Sequence, residues 1–104
     1  MPDREADRQG GVLTLERHEV RPPPMYKVLL HNDDYTPMDF VTMVLETVFH
    51  KPTAEAIKVM LAVHRAGIGL AGIYTRDVAE TKVQTVADLA RREQHPLKCT
   101  MEAE

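Results

Sequence analysis

Cysteine occurs once, at Cys99, so no internal disulfide can form and a reducing compartment is expected. No apolar run approaches the roughly 20 residues that a membrane-spanning helix needs. Positive charge is also scarce: 13 Lys and Arg stand against 16 Asp and Glu, a net charge of −3. Without a basic stripe, nucleic acid is not an expected partner. The opening Met1-Pro2-Asp3-Arg4-Glu5 lacks the basic-then-apolar order of a secretory signal, so the expected location is the cytoplasm. Catalytic signatures are missing too, with no nucleophile elbow, Gly-rich phosphate loop or zinc motif. His18, His31, His50, His64 and His95 are scattered and lack the helical i,i+4 pairing of a metal site. Neither a cofactor nor a metal is expected.

What is present suits one small domain and a tail. The 104 residues are 43% hydrophobic and 28% charged, ordinary values for a globular chain. Residues 1–24 read as a flexible N-terminal extension, because Gly10-Gly11 and Pro22-Pro23-Pro24 oppose helix. Within it, Val12-Leu13-Thr14-Leu15 alternates weakly, as a short strand would. Residues 25–104 read as the core.

Met25 to His31 is rich in β-formers and predicts a strand. Asn32-Asp33-Asp34 breaks it. Thr36 as N-cap, Pro37 at the first helical position and Asp39 as a short capping acid then start a helix running to about Phe49. After Lys51-Pro52, a second helix opens at Thr53, with Ile57, Met60, Leu61 and His64 on its apolar face and Val63 beside them. Gly67 suits its left-handed end. Ile68 to Tyr74, with Gly69 and Gly72, predicts a strand that lets another element approach closely. A third helix is expected over about Val78 to Gln94, burying Val83, Val86, Ala87 and Ala90, and a closing strand over Leu97 to Met101. The order β-α-α-β-α-β gives an α+β sandwich, with three helices on a three-stranded antiparallel sheet.

The polar residues point to binding. Asp33 and Asp34 are adjacent in sequence and so diverge in direction, which does not suit a paired acid and base acting on one bond. Asp33 reads simply as a turn residue, whereas Asp34 has no cap to make once Thr36 takes that place. A single His on an apolar face is commonly a core residue, and Met38 and Met60 can equally fill core gaps. Their company gives them a second meaning. Met60, Val63 and His64 share a face of the second helix. Packed beside the first helix, that face would bring His64 to Asn32 and Asp34, making three acceptors. An ammonium group has three donors and no acceptor. Met38, Val41, Met60 and Val63 would form an apolar cup next to them.

In order along the chain, several stretches closely resemble the ClpS adaptor family. They are Pro23-Pro24-Met25-Tyr26-Lys27-Val28, then Asn32 to Val41, Met60-Leu61-Ala62-Val63-His64, Asp77-Val78-Ala79-Glu80-Thr81-Lys82 and His95-Pro96-Leu97. The resemblance implies an adaptor, not an enzyme. Such an adaptor binds proteins with N-terminal Leu, Phe, Tyr or Trp and delivers them to a Clp AAA+ unfoldase such as ClpA with ClpP. It implies that Asn32, Asp34 and His64 hold the α-amino group and first peptide bond. It further implies that Asp33, Thr36, Pro37, Met38, Val41, Met60, Val63 and Leu97 surround the side chain, with Met38 closing the pocket to Val and Ile. Asp77, Glu80 and Lys82 would dock on the unfoldase, Asp77 with a shorter reach than the Glu common there. A monomer is expected.

Two rival readings share these residues. A ribosomal-stalk-like interaction domain would use a helix surface and need no pocket, and fold alone does not distinguish it. A small hydrolase or metal site built from Asp33, Asp34, His31 and His64 would show turnover.

Overall fold

The computed structural model describes residues 21–104. The alternation at Val12 to Leu15 and most of the expected extension lie outside them. Residues 21–24 are exposed and lie outside any helix or strand.

The elements follow the expected order: β1 (Met25–His31), α1 (Met38–Thr47), α2 (Thr53–Ala66), β2 (Ile68–Thr75), α3 (Arg76–Arg92) and β3 (Lys98–Ala103). The three strands form one antiparallel sheet in the order β2-β1-β3. With period-two alternation, β1 sends Tyr26, Val28 and Leu30 inward and Lys27, Leu29 and His31 outward. Val28 and Leu30 are fully buried, each worth about 1.5–3 kcal/mol of apolar burial. On the outer face, His31 Nε2 and Thr100 Oγ1 lie 2.7 Å apart and tie β1 to β3.

All three helices gather on the inner face. α3 packs on every strand, α2 packs on β2, and α1 packs on α2. The core joins Val28 and Leu30 to Phe40, Val44 and Leu45 of α1, Ala56 and Val63 of α2, and Ala79, Val86 and Ala90 of α3. A register shift between Val28 and Leu29 leaves Ala71 opposite no partner, a β-bulge in the edge strand β2.

Several local expectations are corrected. Pro37, not Thr36, is the N-cap of α1: its carbonyl accepts from the amides of Phe40 and Val41. Thr36 instead donates its hydroxyl to Asp33. α1 stops at Thr47, because His50 adopts a left-handed backbone (φ 55°) and the Lys51 amide returns to the Leu45 carbonyl. The inner face of α2 carries Ala56, Val59, Met60 and Val63, while Ile57 and His64 are exposed. α3 starts at Arg76 and buries Ala79, which the expected stripe omitted, while Ala87 is only half-buried. Gly67 ends α2 as expected, at φ 87°.

Candidate functional site

The break after β1 is organised by one carboxylate. Asp33 Oδ1 accepts the backbone amides of Tyr35 and Thr36, both at 2.8 Å. Its Oδ2 accepts the Thr36 hydroxyl at 2.7 Å. This is an Asx turn, in which a short side chain replaces a backbone acceptor. Partial burial pushes the Asp33 pKa upward. The bonds from the Thr36 hydroxyl and the two amides, with nearby His95, outweigh it and leave the group below the ordinary 3.8. Asp33 is thus saturated by its own loop. Among the described residues, those bonds leave the side chains of Asn32 and Asp34 unpartnered, and both are exposed.

The loop is fixed at both ends. The Asn32 amide donates to the Gly67 carbonyl at 2.9 Å, joining the end of β1 to the residue that ends α2. Phe40, in the first turn of α1, meets the His95 ring edge-on with centroids 4.6 Å apart. The two halves foreseen in the sequence therefore come together. Asn32, Asp33, Asp34, Thr36, Met38 and Val41 form one wall of a cavity of about 210 Å³, and Met60, Val63 and His64 form the other. Met38 stands at the surface, 42% exposed, while Val41 and Val63 are buried beneath. Polar groups at the rim and apolar groups inside suit a ligand with one charged end and one greasy branch.

Two residues assigned to the side-chain pocket are not among those lining this cavity. Pro37 is the helix cap, and Leu97 belongs to the core at 6% exposed; neither lines this cavity. Asp77 and Glu80 are exposed near the start of α3, Glu80 paired to Arg76 at 3.2 Å. Lys82 is half-buried and turned inward. Its ammonium donates to the Val48 carbonyl at 2.7 Å and lies 5.2 Å and 5.8 Å from the ring centres of Tyr74 and Phe49.

Cys99 is no nucleophile in this setting, since burial pushes its thiol up to about 12 and the thiol form predominates at neutral pH. Among the described residues, no group of three His, Cys, Asp or Glu side chains could hold a metal ion. None of their helices is long and apolar enough to cross a membrane.

Comparison with known proteins fits this arrangement. The family profile of the ATP-dependent Clp protease adaptor protein ClpS matches residues 21–100. The chain belongs to the ClpS family. It is 53% identical over 100 residues to the ClpS adapter of Phenylobacterium zucineum, covering 96% of this chain and 92% of that one. Against the ClpS adapter of Maricaulis maris it is 50% identical, with both chains fully covered. Its fold is similar to Agrobacterium tumefaciens ClpS2 bound to L-phenylalaninamide, with a TM-score of 0.77 and 43% identity. That match covers 80% of this chain and all of the other. As a ClpS protein the chain is a protease adaptor and not an enzyme, which sets aside both the stalk-like and the hydrolase readings.

Proposed function

We propose that the cavity holds the first residue of a client protein, its α-amino group at Asn32, Asp34 and His64 and its side chain among Met38, Val41, Met60 and Val63. The observation that carries this is the meeting of two distant segments around one cavity, with no side-chain partner for Asn32 or Asp34 among the described residues. Size agrees. A cavity of roughly 150 Å³ accepts a benzene ring, so about 210 Å³ suits one large side chain. Phenylalaninamide, the ligand of the similar Agrobacterium protein, has both features: a free α-amine and one large apolar side chain.

The physics favours free, bulky termini. Acetylation would remove the charge and leave Asp34 and its neighbours without donors, costing roughly 1–3 kcal/mol per unmet group. Apolar burial adds about 0.8 kcal/mol per CH₂, so Leu, Phe, Tyr and Trp outbind Ala. In this reading the chain acts as a cytoplasmic monomer. It hands clients to a Clp AAA+ unfoldase on which it docks through the start of α3, where Asp77 and Glu80 are exposed. Docking on a multisubunit partner would raise the effective client concentration there.

Fluorescence anisotropy tests the reading with three short peptides: one starting with free Phe, the same peptide acetylated, and one starting with free Val. Only the first is expected to bind well. Equal binding of the first two would remove amine capture.

A further inference from the structure

We infer that Gly69, a residue of β2 outside the cavity lining, sets the width of the cavity by letting α2 sit close on the sheet. This rests on the proposed capture of an N-terminal residue and deepens it, by naming what limits side-chain size.

Gly69 is buried and pairs with Leu30 of β1. A Cβ added to it would lie 2.5 Å from Val63 Cγ2, 3.3 Å from the Val59 carbonyl oxygen and 3.4 Å from Val59 Cγ1. The first distance is far inside van der Waals contact, so something must move. Val63 has little freedom to swing aside. A β-branched residue in a helix has one strongly preferred χ1 rotamer. The neighbour at 3.3 Å is helix backbone. Only a residue without a side chain fits where α2 crosses β2.

Val63 also lines the cavity, and it is 2% exposed. Its side chain therefore separates Gly69 from the ligand space. Met60 lies one turn earlier on the same helix and His64 is the next residue, so a shift of Val63 is shared by the whole wall. The opposite wall is tied to the end of α2 through backbone bonds. Asn32 is bonded to the Gly67 carbonyl, and the Gly67 amide is bonded to the Val63 carbonyl, both at 2.9 Å. Those bonds pin the C-terminal end of α2 beside the loop, so α2 cannot simply rise. A methyl at position 69 drives Val63 into the cavity, and the widest clients lose their fit first.

The test uses the full chain and peptides starting with free Trp, Phe and Leu, with thermal melts run alongside. Gly69→Ala is expected to weaken Trp and Phe by roughly tenfold, the scale of core overpacking, and Leu by no more than about twofold. In the Val63→Ala background, which lacks the clashing methyl, adding Gly69→Ala is expected to cost Trp and Phe no more than about twofold. Should Gly69→Ala alone not fold, a folded double variant that binds Trp and Phe as Val63→Ala does carries the same result. Equal losses for all three peptides in Gly69→Ala, a double variant that does not fold, or a roughly tenfold loss of Phe binding that persists in the Val63→Ala background would overturn the inference. A wild-type chain indifferent to acetylation of the Phe peptide would instead remove the capture reading beneath it.

Discussion

Lys82 of α3 donates to the Val48 carbonyl, which lies just past the end of α1, at 2.7 Å. The ammonium neutralises the negative end of that helix and lies near two aromatic rings. Lys82 therefore joins two helices from within, whatever it also contributes at a surface. Lys82→Met is expected to lower stability by about 1–2 kcal/mol, read as a lower urea midpoint. An unchanged midpoint with lost unfoldase binding would place its role wholly at the surface.

The Asx turn predicts different outcomes for two substitutions of Asp33. Asp33→Asn keeps an oxygen for the Tyr35 and Thr36 amides and should bind and fold nearly as the wild type does. Asp33→Ala leaves those donors unmet, costing about 1–2 kcal/mol of stability, and should weaken binding of a free-Phe peptide. If Asn and Ala were equally harmful, charge rather than turn geometry would be its contribution.

Stability should also depend on pH through this carboxylate. Its folded pKa lies below 3.8, so its contribution is complete above the unfolded value and fades as pH falls through the folded one. The stability gap between wild type and Asp33→Ala should therefore be constant near neutrality and narrow below about pH 4. A gap that widened on acidification would contradict this.

His64 is one of the three proposed amine acceptors, and an ammonium group needs acceptors for all three of its donors. His64→Ala should weaken a free-Phe peptide by roughly tenfold and leave an acetylated one unchanged. Unaltered binding of the free-Phe peptide would remove His64 from the amine site.

Met38 stands at the surface of the cavity, at the start of α1. Met38→Ala opens that edge without touching the amine acceptors. Peptides starting with Val or Ile should gain at least about threefold, with Phe little changed. Unaltered selectivity would clear Met38 of a gating role.

The element order and both halves of the cavity were legible because they rest on local signals. These are a β-rich run, a turn at Asn32 to Asp34, and Met60, Val63 and His64 one helical turn apart. Expectations differ from the structure where one specific contact decides, whether near or far along the chain. Thr36 has the composition of an N-cap, but Asp33 claims its hydroxyl, and the cap moves to Pro37. Ile57 looked apolar enough to bury, yet close contact with Gly69 turns Val59 and Val63 inward instead. The bond of Lys82 to Val48 has no signal near it in sequence, because the two lie 34 residues apart. Leu97, assigned to the pocket by the resemblance alone, is buried in the same core cluster as Val41 and Val63.

The two walls of the cavity exist together only while α2 is seated on the sheet. Cargo and fold therefore share one equilibrium. A peptide held at a hundred times its dissociation constant would resist unfolding by a further 2.7 kcal/mol or so. Brought to a machine that pulls chains apart, a loaded carrier would be stiffer than an empty one, and its freight would help it outlast the encounter.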